Sequence, residues 1–347
     1  MAPKMEYVRL GNSGLKVSKI ILGCMSYGDP KWSEWVLNEE EGIKHIKFAY
    51  EHGITTFDTA NVYSNGLSEI ILGKAIKELN LPREELVIMT KVHFPVASEF
   101  GVNTIHKNPL ELGIINQKGL NRKHIFDSVK ASLKRLQVDY IDVLQCHRFD
   151  YDTPIEETMQ ALHDVVKAGY VRYIGMSSCY AYQFIQMQNY AIKNNLTPFI
   201  SMQNHYSLVY REEEREMFPT LKMFGVGSIP WSPLARGLLT RPLDAQSKRG
   251  NTDWFIGRYK NDATAQIVNR VEEIAKKKNA SMAQVALAWI MSKPGVTAPI
   301  IGTTSLKNLE DILEGIALLG ALDVKLSEEE IKYLEEPYKP MAITGHV

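Results

Sequence analysis

Residues 54–77 read ITTFDTANVYSNGLSEIILGKAIK. The run 54–57, rich in β-branched and aromatic residues, fits a buried strand. A polar turn holding Asp58, Asn61 and Tyr63 follows it. Then Leu67, Ile70, Ile71, Leu72, Ala75 and Ile76 recur at helical spacing. A strand therefore delivers an acid and a phenol to the loop that leads into a helix. Reaction sites are commonly carried by such loops, held by the rigid elements on either side.

The same alternation extends in both directions. Strand-like runs fall at 20–23, 86–91, 140–145, 171–176, 199–203, 226–231 and 298–302. Helical patterns fall between them at 39–52, 122–136, 155–168, 182–194, 212–224 (with a kink expected at Pro219), 263–278, 282–292 and 306–319. Ser327 is placed to cap a last helix over 328–334. Residues 7–18, with a Gly/Asn-rich centre, predict a β-hairpin. Eight strands alternating with helices in 347 residues predict an α/β chain folded as a (β/α)8 TIM barrel. No linker-like stretch divides it, so one domain is expected over 1–347, with 1–19 as a hairpin cap on the barrel bottom and 320–347 as a C-terminal extension. The rival, an open doubly wound sheet, would carry a Gly-rich fingerprint after the first strand, but residues 23–28 are GCMSYG.

Composition narrows the function. Forty basic and forty acidic side chains cancel, leaving no field for nucleic acid or an anionic membrane. No apolar run is long enough to span a bilayer, and the first residues lack the apolar stretch of a secretory signal. Cys24, Cys146 and Cys179 have neither metal-like nor disulfide-like spacing and read as reduced thiols of a cytoplasmic protein. No His/Asp ligand set marks a metal site, and no motif sets a subunit count.

In a barrel, chemistry gathers at the C-terminal ends of the strands. The second strand ends at Asp58 with Tyr63 in its loop, the third at Lys91, and the fourth just before His147. A free tyrosine titrates near 10, so a neighbouring lysine cation is expected to lower that value. A carboxylate beside the lysine keeps it charged, and a neutral histidine can orient a substrate oxygen. Together they compose a proton donor and an oxyanion-type site for carbonyl reduction.

The blocks FDTANVYSNGLSEIILGKAI, MTKV, DVLQCHRFD, GYVRYIGMSSC, QNHYSL, IPWSPLARGLL and PIIGTTSLKNLED, in this order, resemble the aldo-keto reductases over essentially the whole chain. The nearest flavour is the fungal aryl-alcohol dehydrogenase-like branch, which also resembles potassium-channel β subunits. The resemblance implies Asp58, Tyr63, Lys91 and His147 as a catalytic tetrad, with Tyr63 the general acid, and NADPH/NADP+ as cofactor. It places Ser177, Ser178 and Gln203 on the nicotinamide amide, and Trp231, where many members have Tyr, as the stacking partner of the ring. Ser232, Pro233, Leu234, Ala235 and Gly237 would line the pyrophosphate. Gly302, Thr304, Asn308 and Asp311 fall at the adenosine positions, at the start of the eighth helix, with Lys307 nearby. An Arg common at the place of Thr304 and an Asn common at the place of Ile312 are absent, so Lys248, Arg249 and Arg258 are the cations left to meet a 2′-phosphate.

The long loops 24–38, 94–121 and 235–260 should wall the substrate pocket. Their aromatics, Tyr27, Trp32, Trp35, Phe94, Phe100 and Trp254, suggest an apolar site for an aromatic or other hydrophobic carbonyl. The alternative is a cofactor-binding regulatory subunit with little turnover. Channel-type relatives tend to have Asn at the position of His147, which favours the reductase.

Overall fold

A computed structural model describes residues 5–105, 107–313 and 320–346. The hairpin forms as β1 (Tyr7–Arg9) and β2 (Lys16–Ser18), paired antiparallel. Its turn presses on the barrel so closely that a Cβ on Gly11, which sits at φ 59°, would lie 2.5 Å from the carbonyl of Gly225. Leu10 and Val17 pack with Ile21, Val87, Met89, Val143, Ile229 and Ala298, so the hairpin closes the end at which the strands begin.

Eight parallel strands make the barrel: β3 (Ile21–Gly23), β4 (Thr56–Asp58), β5 (Val87–Val92), β6 (Ile141–Cys146), β7 (Val171–Ser177), β8 (Phe199–Gln203), β9 (Gly227–Ser228) and β10 (Ile300–Ile301). They lie in sequence order, with β10 beside β3. The last two strands are far shorter than the 226–231 and 298–302 expected. Each expected run contains a proline that lies outside the observed strand, Pro230 and Pro299, and a proline has no N–H to give to a ladder. The prolines still accept: Ile300 N–H donates to the Pro230 carbonyl (2.9 Å) and Ile21 N–H to the Pro299 carbonyl (3.0 Å). Single-residue bridges from Ser228 to Val296 and from Trp231 to Ile300 complete the ring between the two short strands.

The outer layer comprises α1 (Glu39–Glu51), α2 (Leu67–Glu78), α3 (Arg122–Leu136), α4 (Ile155–Lys167), α5 (Ala181–Lys193), α6 (Met217–Phe224), α7 (Lys248–Thr252), α8 (Asp262–Lys278), α9 (Met282–Ser292), α10 (Leu306–Leu313) and α11 (Glu328–Glu335). Asn38, Asn121, Ser281 and Ser327 cap α1, α3, α9 and α11 by accepting from backbone amides in the first turn. Two expectations change. The helix over 212–224 is a 3-10 turn, Glu212–Glu214, followed by α6. Pro219 lies in the first turn of α6, where no amide has an intrahelical partner, so it bends nothing. The stretch 235–260 is also no open loop, since it holds α7 and the 3-10 turns Ala235–Thr240 and Trp254–Tyr259. The far end of the helix expected over 306–319 lies outside the described residues. Among the described residues no helix is long and apolar enough to cross a membrane.

One polar network ties three elements. Glu69 of α2 is fully buried, accepts from Thr90 Oγ1 of β5 (2.6 Å), and pairs with Arg135 Nε of α3 (2.5 Å). Breaking a buried pair strands the remaining charge. Glu69→Ala is expected to lower unfolding free energy by about 3 kcal/mol, read as a shifted urea midpoint. An unshifted midpoint would show that the network adds nothing.

Candidate active site

The strand ends assemble the rim. Register pairs Asp58 with Met89, Lys91 with Gln145 and Ser177 with Gln203. Lys91 is fully buried. Its Nζ lies 2.5 Å from Asp58 Oδ2, 2.8 Å from the Thr59 carbonyl and 3.2 Å from Tyr63 Oη. An ammonium has three protons, and these three acceptors occupy them all. The Tyr63 hydroxyl therefore accepts from Lys91, which leaves its own proton free. Asp58 Oδ1 accepts from Gln145 Nε2 and Gln203 Nε2, each at 2.9 Å, so both carboxylate oxygens are engaged.

The electrostatics depart from expectation in one respect. Burial pushes the Tyr63 phenol above its ordinary value, outweighing the lowering by Lys91. The site thus holds a phenol firmly protonated at neutral pH rather than one softened toward phenolate. Burial opposes the charge on Lys91, but Asp58 and Tyr63 beside it hold its pKa above the usual lysine range. His147 stands edge-on to Tyr63, with ring centroids 5.7 Å apart. Burial, then Arg148 and Lys91, hold it far below the ordinary histidine value, so it is neutral.

The loop that carries Tyr63 is fixed by an unusual backbone. Ser64, Asn65 and Gly66 follow one another at φ 45°, 49° and 95°, a left-handed run that short polar residues and glycine tolerate best. Turned this way, Asn65 donates to the carbonyls of Glu99 and Val102 (2.7 and 2.6 Å) and accepts from Ala97 N (3.0 Å). One asparagine thereby clamps the 94–121 loop beside Tyr63.

A cavity of about 750 Å³ opens above the rim. Asp58, Tyr63 and His147 form its floor, with Lys91 behind Tyr63. Ser177, Gln203 and Trp231 continue the lining, then Ser232, Pro233, Leu234 and Gly237, and finally Gly302, Thr304, Asn308 and Asp311. Lys248, Arg249 and Arg258 line the mouth. Ser178 and Ala235 stand behind the wall: Ser178 Oγ accepts from Trp231 Nε1 (3.0 Å), and Ala235 is wholly buried. Lys307 does not reach the lining. Of the loop aromatics, Trp32, Trp35, Phe94 and Trp254 border the cavity. Tyr27 does not, because it is packed inside against His45 (Oη to Nδ1, 3.3 Å), and Phe100 points to solvent.

Three arginines escaped the sequence reading, although two lie inside blocks quoted above. Arg236 pairs with Asp253 through both carboxylate oxygens (2.9 and 2.8 Å), and Arg249 shares that acid (3.1 Å). The Arg249 guanidinium also lies 4.0 Å over the Trp35 ring, so the 235–260 segment is latched across the mouth to the 24–38 loop. Arg148 and Arg241 line the cavity as well. Adjacency to His147 was the available signal for Arg148.

The residues present fit a dinucleotide. Trp231 is a rigid shelf, with His205 stacked on it at 4.0 Å and 11° and Tyr210 stacked on the far face of His205 at the same spacing. Beside the shelf, Ser177 spends its proton on the Gln203 carbonyl (2.7 Å), and Gln203 spends its amide protons on Asp58 and Gln145. Both side chains therefore offer acceptors, as a carboxamide NH2 requires. The outer lining supplies cations for phosphates.

Residues 19–339 match the family model described as the Aldo/keto reductase family. The chain belongs to this family, and with it to the oxidoreductases that act on carbonyl compounds and use nicotinamide dinucleotides. It is 50% identical over 350 residues to a versiconal hemiacetal acetate reductase of Aspergillus parasiticus, covering 98% of each chain. It is also 50% identical to a Schizosaccharomyces pombe protein named "Putative aryl-alcohol dehydrogenase", covering 100% of this chain and 99% of that one. To an Alternaria alternata aldo-keto reductase it is 47% identical, over 99% and 95%.

Proposed function

We propose that this protein is an NADPH-dependent reductase that converts aldehydes or ketones, aromatic or otherwise hydrophobic, to alcohols, working as one barrel domain with Tyr63 as proton donor. The observation that carries the reading is the full commitment of the Lys91 ammonium, which leaves the Tyr63 proton directed to a cavity. When bound, the nicotinamide supplies the hydride. The chain supplies the rest. Trp231, held by Ser178 and His205, gives the ring a face; Ser177 and Gln203 accept from its amide. Tyr63 donates its proton to the carbonyl oxygen while Lys91 stabilises the charge left on the phenol, and Asp58 holds Lys91 in place. Neutral His147 orients the substrate oxygen. The Trp32, Trp35 and Phe94 walls favour planar apolar substrates, in keeping with the aryl-alcohol name borne by one relative. Free, buried Cys24, Cys146 and Cys179 suit the reducing cytoplasm. Incubation with NADPH and a panel of aldehydes and ketones, followed at 340 nm, tests the activity; failure to reduce any of them removes the reading.

Preference for NADPH over NADH rests on cations at the mouth. Among the described residues Arg241, Lys248 and Arg258 make no ion pair, while Arg249 shares Asp253. Each charge-assisted contact to a phosphate adds roughly 1.5 to 3 kcal/mol. NADPH should therefore bind at least about tenfold more tightly than NADH in a fluorescence-quenching titration, and Arg258→Gln should narrow that gap. Equal affinities would remove the 2′-phosphate assignment.

A further inference from the structure

Arg148 follows His147 at the end of β6 and lines the cavity at its chemical end. One guanidinium nitrogen donates to the His147 carbonyl. The guanidinium carbon lies 5.8 Å from the Phe94 ring centre. No carboxylate among the described residues pairs with it. The neighbours that bear on its charge are the Tyr63 phenol and another cation, Arg236, which Asp253 already claims. Lys248 and Arg258 also lack a carboxylate but stand exposed, where water solvates a charge at little cost, and half-buried Arg241 donates to Thr240 Oγ1; Arg148 alone of these four adjoins Tyr63 and His147. Burial lowers the Arg148 pKa to about 10, which still leaves it fully charged at neutral pH. A guanidinium has five donors, and among the described residues only the His147 carbonyl accepts from this one, which lines the cavity.

Half-buried on the cavity wall, Arg148 is solvated less well than a surface cation, and an anion in the cavity would complete it. Phe94 stands beside Arg148 and shares one apolar cluster on the cavity wall with Trp32, Trp35 and Tyr63. We propose that Arg148 is an anion subsite for the substrate, and that the preferred carbonyl compounds are planar aromatic aldehydes or ketones that carry a carboxylate. The assignment rests on the reductase reading for the word substrate, but the subsite itself is a matter of binding. Its planar fork holds a carboxylate through two parallel hydrogen bonds while the ring lies against the aromatic wall, which fixes the carbonyl with respect to Tyr63 and His147.

The test compares the 2-, 3- and 4-carboxybenzaldehydes with their methyl esters, which keep shape and lose charge. Affinity for the NADP+-loaded protein is measured by calorimetry, and kcat/KM by NADPH oxidation. For at least one isomer the acid should exceed its ester by about tenfold or more in both, equivalent to roughly 1.4 kcal/mol. Arg148→Met should abolish that ratio, and Arg148→Lys should restore part of it; thermal melts establish that both variants fold. Acid and ester binding alike, or a ratio that survives Arg148→Met, overturns the subsite. So does a loss confined to NADP+ affinity, which would assign Arg148 to the cofactor. Preferential binding of the acid without turnover upholds the subsite and overturns the reductase reading instead.

Discussion

Tyr63→Phe should lower kcat for carbonyl reduction by about 10³-fold, within the span that general acid catalysis contributes, while leaving the protein folded. The phenol oxygen accepts one hydrogen bond, from Lys91, and Lys91 retains Asp58 and the Thr59 carbonyl when it is gone. The stability loss should stay within about 1 kcal/mol, the net worth of one such bond. The cavity loses a hydroxyl but no shape, so KM should move far less than kcat. The wild-type pH profile checks the same assignment. With the Tyr63 phenol raised by burial, reduction should hold level through neutral pH and decline only on the alkaline side, above the ordinary tyrosine value. With His147 held far below the usual histidine range, no acidic limb should appear near pH 6.5. A variant that keeps full kcat would transfer the proton donor elsewhere.

Lys91→Met carries the second large effect, on stability and rate together. Lys91 is wholly buried and Asp58 nearly so. Removing the cation leaves the carboxylate with only the amides of Gln145 and Gln203, and losing one partner of a buried pair costs roughly 3–5 kcal/mol. The rate should fall with it, since the ammonium that donates to Tyr63 Oη is the nearest cation to the charge left there. Asp58→Asn combined with Lys91→Met separates the two effects. The double variant removes both charges, so much of the lost stability should return, read from urea denaturation, while activity stays low. Recovery of both, or of neither, would contradict a pair whose structural and chemical parts are distinct.

The sequence made the regular frame readable and the irregular parts much less so. α3, α9 and β8 fall where periodicity placed them, because capping residues and apolar spacing agree there. The strands holding Pro230 and Pro299 looked continuous because their apolar residues are; the missing amide donors shortened them. The four rim residues could be found because strand ends in a barrel converge by topology alone. Tyr63's raised pKa could not, since it depends on how much water the 24–38 and 94–121 loops exclude. The same holds for Arg148, Arg236 and Asp253: an alternation pattern shows neither which charges find partners nor which are left without one. Tyr27 and Phe100 show the limit from the other side, as aromatics in the correct loops that face the core and the solvent.

The meeting of β9 and β10 has a mechanical consequence. Each strand is two residues long, and their seam is closed by two single-residue bridges, Ser228 to Val296 and Trp231 to Ile300. The hoop therefore has a joint, and the cavity lies over it: Trp231–Gly237 on one side, Ile300–Ile312 on the other. A dinucleotide laid along those residues would span the joint like a clasp, adding its own binding energy across it. With two bridges against the four and five paired positions of β5–β6 and β6–β7, this seam should open well before those strands part. This seam would then be reinforced by the molecule the protein works with, and its stability in a cell would follow the supply of that molecule.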